Sequence, residues 1–166
     1  MPELTHLDPE GLPRMVDVGD KAVTSRRAVA AGYLQLDPVA AEALVHGGGP
    51  KGDPWSVVRI AAVQGAKRTS DLIPLAHPLP LDAVTVEHRF DPATRRAWLR
   101  VETRVTSRTG VEMEALCGVS VGLLALYDML KAVSHEMELG PVRLLLKEGG
   151  RRGTVSRAWD QAPWEG

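Results

Sequence analysis

Between Thr109 and Val133 the chain reads TGVEMEALCGVSVGLLALYDMLKAV, with no proline to break it. Leu116, Val119, Leu123, Leu126, Leu130 and Val133 recur at spacings of three and four, the period that gathers apolar side chains on one helical face. Thr109 and Gly110 stand in front of that run as start signals. The stretch predicts one long helix, around which a single domain has to be packed. It also carries acid and base at its ends. Glu112 and Glu114 fall in its first turn, while Asp128 and Lys131 lie three apart near its end, on neighbouring surface. Gly118 and Gly122 leave a flat patch that another backbone can approach closely. A solvated Asp–Lys pair by itself contributes only about 0–1 kcal/mol, so its meaning depends on what the rest of the chain brings to it.

A chain of 166 residues is one domain's worth, and no linker divides it. Hydrophobic residues make up 44%, but only seven residues are aromatic, so aliphatic and alanine packing must build the core. A net charge of −1 gives no basis for nonspecific nucleic-acid binding. The single cysteine, Cys117, excludes an internal disulfide and a cysteine-held cluster, and it is expected to pack in the long helix as a small hydrophobe. No signal-peptide pattern and no membrane-spanning run is read, so a cytoplasmic protein without membrane association is expected. The histidines show no HExxH and no tight cluster, so no metal site is expected. Arginine outnumbers lysine fifteen to five. Lysine is the base whose proton its surroundings can move, and of the five (Lys21, Lys51, Lys67, Lys131 and Lys147) three fall in stretches singled out below on other grounds, which points to chemistry.

Along the chain, residues 1–14 are expected as a flexible arm and Met15–Lys21 as a loop or edge segment. Ala22–Leu36 is read as a strand. Asp37-Pro38 then opens a short helix through Val45, with the aspartate as cap and the proline at the first helical position. The loop Gly47-Gly48-Gly49-Pro50-Lys51-Gly52 leads into a second helix that starts at Asp53-Pro54 and runs to about Arg68. A glycine loop with a lysine at a helix start suits an anion, although it lacks the P-loop spacing and a plain connection is the commoner outcome. In Thr69–Pro80 three prolines stiffen the chain around His77, a better setting for proton transfer than a mobile loop, although a lone histidine is more often structural. Leu81–Phe90 and Ala97–Thr106 alternate polar and apolar residues about an Asp91-Pro92-Ala93-Thr94 turn, which predicts a hairpin with Trp98 and several arginines on a solvated face or at a subunit contact. After the long helix, Gly140-Pro141 opens a last strand, Val142–Lys147. Order is expected to end at the basic glycine turn Gly149–Gly153, leaving residues 154–166 as a flexible tail and 15–153 as the single catalytic domain. The pattern is βαββαβ with one extra helix: an α+β fold with a four-stranded antiparallel sheet and helices on one face.

The stretches MVDVGDKAVTSR, KGDPWSVVRIAAVQGAKRTSDLIPLAHPL, TGVEMEAL, YDMLKAV and GPVRLL, in this order, resemble the molybdenum-cofactor biosynthesis protein C family, the cyclic pyranopterin monophosphate synthases. The resemblance runs from about Met15 to Gly153. It implies a ferredoxin-like subunit assembled as a homohexamer, a trimer of dimers with sites at the dimer contact. It implies a lyase that takes cyclised dihydro-GTP, supplied by a radical partner enzyme, to cyclic pyranopterin monophosphate with release of pyrophosphate. It places catalysis on Lys51, His77, Asp128 and Lys131, and substrate binding on Lys51, Lys67, His77, Glu112, Met113 and Glu114. It implies no tightly bound cofactor and leaves open Mg2+ carried with the substrate phosphates. Gly19-Asp20 and Arg151-Arg152 depart from the family pattern.

The residues suit that chemistry. Cations and N–H donors take up charge as pyrophosphate leaves, while carboxylates, a histidine and a lysine carry protons. Glu114 and Asp128 are separated by about 21 Å on a helix that rises about 1.5 Å per residue, too far to meet at one reacting centre. A site shared between chains is therefore expected, with a second chain bringing its helix or its Lys51 loop. The rival readings are a small-molecule-binding regulatory domain of ferredoxin-like fold and a structural subunit of a complex. Neither needs the acid–base pair.

Overall fold

A computed structural model describes residues 7–150 and 153–164. In chain order the elements are β1 (Thr24–Gln35), α1 (Pro38–Val45), α2 (Pro54–Lys67), the single turn α3 (Thr69–Leu72), β2 (Ala83–Asp91), β3 (Arg96–Ser107), α4 (Glu112–Leu130), β4 (Glu138–Glu148) and the short β5 (Val155–Ser156). The strands form one sheet in the order β2-β3-β1-β4-β5, antiparallel throughout. This is the expected ferredoxin-like α+β fold, with α1 inserted early and β5 added at one edge.

β1 lies inside the sheet, between β3 and β4. Its residues Ala28–Ala31 and Leu34 are buried, and small apolar side chains without alternation are what a strand covered on both faces needs. On one face α4 lays Val119, Leu123, Leu126 and Leu130 against Ala30 and Leu34 of β1 and Leu99, Val101 and Val105 of β3. α4 is long and apolar enough, by length and composition alone, to cross a membrane, and its packing in this core accounts for that apolarity. Cys117 is buried in it, as expected.

The flat patch at Gly118 and Gly122 receives a backbone of the same chain. A Cβ at Gly118 would lie 3.2 Å from the Ala62 carbonyl oxygen, and one at Gly122 would lie 3.2 Å from Ala62 Cβ and 2.3 Å from Leu99 Cδ2. Gly65 answers from α2, where a Cβ would be 2.9 Å from the Cys117 carbonyl oxygen. Three glycines thus let α2 run antiparallel to α4 at close range. The patch is used up within the subunit.

β4 is longer than the sequence indicates because it starts before Gly140-Pro141. Gly32 pairs with Val142 and Leu34 with Leu139, so Gly140 and Pro141 bulge out opposite Tyr33. A proline cannot donate to the ladder, and a bulge is where a strand tolerates one. Gly140 fits beneath the Tyr33 ring, where a Cβ would be 2.4 Å from a ring carbon.

The outer face of the sheet corrects two expectations. Trp98 is not solvated: it is 1% exposed. Residues beyond Gly153, expected as a tail, pair through β5 and then cross the sheet, with Arg157 N–H donating to the Leu145 carbonyl at 2.8 Å. Trp159, 8% exposed, meets the Trp98 ring edge-on at 5.0 Å between centroids, and the Arg143 guanidinium covers its other side at 4.4 Å. Four of the seven aromatic residues (Tyr33, Trp98, Trp159 and Trp164) gather in this second cluster. The amphipathic reading of β3 was sound, but its outward tryptophan is covered by a segment distant in sequence. Trp159→Ala is expected to destabilise the protein by about 3 kcal/mol, as buried Trp-to-Ala changes do, read as a lowered denaturation midpoint. A midpoint equal to that of the parent protein would return the segment to a passive tail. The Arg151–Arg152 turn lies outside the described residues.

Candidate functional site

The C-terminal end of α4 holds the first cluster. Lys131 Nζ lies 2.7 Å from Asp128 Oδ1, the expected neighbour on the helix surface, and Lys51 Nζ lies 2.8 Å from Asp128 Oδ2 and 2.9 Å from the Asp128 carbonyl oxygen. The glycine loop makes the Lys51 contact possible. Gly47, Gly48 and Gly52 have φ of +91°, +94° and +87°, and a Cβ on Gly48 would lie 2.4 Å from the Gly52 carbonyl oxygen. The loop therefore folds tightly back and turns Lys51 toward α4. The helix start behind it does not offer an anion site. Asp53 Oδ1 and Oδ2 already accept from the N–H groups of Trp55 and Ser56, both at 3.1 Å, so the cap is filled by the chain's own carboxylate.

All three side chains at this end are exposed. The two ammonium groups, Lys131 first, hold the Asp128 carboxyl down at about 2, and the Asp128 carboxylate raises the Lys131 ammonium in return. The Asp128 carboxylate thus gathers two cations.

The N-terminal end of α4 holds a different cluster, around a cleft of about 390 Å3 lined by Val16, Val18 and Lys21 from the chain ahead of β1, by Leu75–His77 and Leu79, and by Thr109, Gly110 and Glu112–Glu114. His77 Nε2 lies 2.8 Å from the Val16 carbonyl oxygen. Only an N–H makes that contact, so Nε2 is the donor, a bond that in the neutral tautomer leaves Nδ1 to accept. Thr109 lines the cleft rather than capping α4, whose N-cap position is Val111 without a side-chain bond. The Glu112 carboxylate lies close over Gly110, where a Cβ would fall 1.9 Å from Oε2. Met113 is exposed at the rim, and Glu114 is buried at 4% exposure.

Burial, more than the nearby Glu112 charge, raises the Glu114 carboxyl to about 7. A carboxyl with a raised folded-state pKa stabilises the fold fully below its ordinary value of 4.5, and that stability is lost as pH rises through about 7. Glu114→Gln is therefore expected to be the more stable protein at pH 8, by about 1–3 kcal/mol, and to show a flatter stability curve between pH 5 and 8. Parallel curves for the two proteins would refute the assignment.

A second opening of about 710 Å3 shares Lys21, Thr109 and Gly110 with this cleft and continues it over Arg26, Arg108 and Lys147. Four cations face it against Asp20, and Glu112 approaches from the side with Oε1 3.9 Å from Lys147 Nζ. Arg26 is 9% exposed and its Nε has no partner among the described residues. A buried, incompletely bonded guanidinium is costly unless an acceptor comes to it. Sequence reading did not single out Arg26, Arg108 or Lys147 as site residues. The lysine count was the available signal: Lys21 and Lys147 line this opening, and Lys51 and Lys131 hold Asp128.

The expected residues therefore fall into two groups. His77, Glu112, Met113 and Glu114 come together at one end of α4, and Lys51, Asp128 and Lys131 at the other. His77 does not sit beside the Asp–Lys cluster of its own chain, because the Thr69–Pro80 segment leaves α2 at the end remote from Lys51. Lys67, in the last turn of α2, is exposed and joins neither group. The cleft beneath the C-terminal segment, about 350 Å3, presents Arg27 and Arg100, but these are already matched by Glu102 and Glu148 and by Glu87.

The chain is similar to known proteins over nearly its whole length. The model of the MoaC family matches residues 15–150. The cyclic pyranopterin monophosphate synthase of Pelotomaculum thermopropionicum is 47% identical over 162 residues, covering 98% of this chain and 95% of its own. That of Roseiflexus sp. (strain RS-1) is 50% identical over 153 residues, covering 92% of this chain and 97% of its own. The protein of the same name from Chloroflexus aggregans is 47% identical over 155 residues, covering 93% and 94%.

Proposed function

The chain belongs to the MoaC family, and from that premise we propose that it is a cyclic pyranopterin monophosphate synthase of molybdenum-cofactor biosynthesis. It takes cyclised dihydro-GTP, the product of a radical partner enzyme, to cyclic pyranopterin monophosphate and pyrophosphate. A cyclic monophosphate arises from a triphosphate when a hydroxyl of the same molecule attacks the α-phosphorus and the bond to the β-phosphate breaks. The observation that carries the reading is the continuous opening at the head of α4, where a four-cation cleft runs into a pocket holding His77, Glu112 and Glu114. Lys21, Arg26, Arg108 and Lys147 hold the phosphates. His77 and Glu114, with a proton acceptor and a carboxyl near neutrality, face the purine-derived part.

Lys51 and Lys131 reach this chemistry from a second copy. Val57 and Ile60 of α2 and Leu124 of α4 are exposed, an apolar surface that a two-fold contact between helix layers would cover. An antiparallel meeting of two α4 helices sets the Lys51–Asp128–Lys131 end of one subunit against the His77–Glu114 end of the other, twice per dimer. Three such dimers form the hexamer, and the enzyme works in the cytoplasm. Incubation with cyclised dihydro-GTP tests the function. Pyrophosphate and the cyclic product should appear together in equal amounts. Saturable nucleotide binding without pyrophosphate would leave a regulatory binding domain instead.

A further inference from the structure

The turn that follows β4 bears on how Arg26 is held. Arg26 and Arg27 are adjacent in β1, and Arg27 pairs with Glu148 at the end of β4, which brings Gly149 and Gly150 alongside Ser25 and Arg26. Both glycines have positive φ, +93° and +76°, a conformation that side chains disfavour. Conformation is only part of the constraint. A Cβ on Gly150 would fall 1.8 Å from Arg26 Nη1, 2.9 Å from Cζ and 3.3 Å from Nη2. A Cβ on Gly149 would fall 2.4 Å from the Ser25 carbonyl oxygen and 3.0 Å from Arg26 Cδ. The guanidinium therefore comes up against bare glycine backbone, Nη1 first.

Little else holds it. Among the described residues its side chain makes one long hydrogen bond, from Nη2 to the Arg108 carbonyl at 3.5 Å, and Nε has no partner. The charges around it oppose its position, since Lys21, Arg108 and Lys147 line the same opening and only Asp20 and Glu112 offset them. Electrostatics alone would turn a long arginine outward to water. The glycine turn covers that route and keeps the side chain in the cleft.

We propose that the Gly149–Gly150 turn is a positioning element for Arg26, a stop of bare backbone that holds its guanidinium in the opening to receive a phosphate oxygen. The proposal rests on the reading of the four-cation cleft as the phosphate site. Positioning of this kind lowers the ordering that binding would otherwise require. Its loss should weaken anion binding and leave the chemical step little changed.

The test is calorimetric titration of the full-length protein with inorganic pyrophosphate, which needs no turnover. Gly150→Ala is expected to weaken pyrophosphate binding at least 10-fold and to raise KM for the nucleotide similarly, with kcat within 3-fold. Arg26→Ala should lose as much. Adding Gly150→Ala to Arg26→Ala should cost no more than a further 2-fold, because the new methyl group then has no guanidinium to displace. Arg26→Lys keeps the charge without the guanidinium and should also bind at least 10-fold more weakly, which gives a result even if Gly150→Ala is too unstable to assay. The proposal is overturned by parent-like affinity in Gly150→Ala or Arg26→Lys, by losses that multiply in the double variant, or by no saturable pyrophosphate binding to the parent protein. Coupled losses in a protein that releases no pyrophosphate from cyclised dihydro-GTP would retain the positioning role and remove only the proposed reaction.

Discussion

Lys51→Ala is expected to lower turnover of cyclised dihydro-GTP by about 100-fold or more, the scale set by removing one preorganised charge-stabilising donor from a reacting centre. The expectation follows from how the ammonium is held. It contacts both Asp128 Oδ2 and the Asp128 carbonyl oxygen, at the helix end where exposed carbonyls favour a cation. Asp128→Asn preserves the shape but removes the charge that gathers Lys51 and Lys131, so it should reduce kcat more than it raises KM. With the Asp128 carboxyl held at about 2, the parent's activity between pH 5 and 9 should show no inflection that Asp128→Asn abolishes. Initial rates across that range measure all three quantities. Turnover close to the parent's in both variants would remove this cluster from the mechanism.

The second large effect is a recovery. Lys51→Ala and His77→Ala subunits should each be inactive alone and regain about a quarter of parental activity when mixed in equal amounts and allowed to exchange. Half of the dimers are then mixed, and each mixed dimer has one intact site of two in an isologous two-fold arrangement. The choice of partners matters. Lys51 and Asp128 are bound to each other within one chain, so Lys51→Ala mixed with Asp128→Asn rebuilds no site. Recovery in that control, or none with the His77 variant despite proven exchange, would show that the two ends of α4 are not joined between subunits.

Local sequence determined the features that depend on neighbours along the chain. The period of α4, the alternation of β2 and β3, the Asp-Pro starts of α1 and α2, and the Asp128–Lys131 pair all follow from residues within a few positions of each other. The family resemblance rested on such stretches as well, and the fold it implied is the observed one. Two sequence features misled. Asp53-Pro54 marked a helix start correctly, but the same aspartate occupies the N–H groups that an anion would need. The glycines of α4 marked a close approach correctly, and the approaching helix is the chain's own α2.

Tertiary structure decided which of these pieces meet. The antiparallel lie of α2 on α4 brings Lys51 to Asp128, across 77 positions of sequence, and carries His77 to the opposite end. The registers of β1, β3 and β4 set Arg26, Arg108 and Lys147 around one cleft and lay the Gly149–Gly150 turn on Arg26. The path beyond β5 turned Trp98 from an exposed residue into a buried one. Helix period and capping are energies of neighbouring residues and can be read from spacing. Contacts between distant residues depend on how rigid elements pack and on which strands pair, and a one-residue slip in register would send each strand's side chains to the other face.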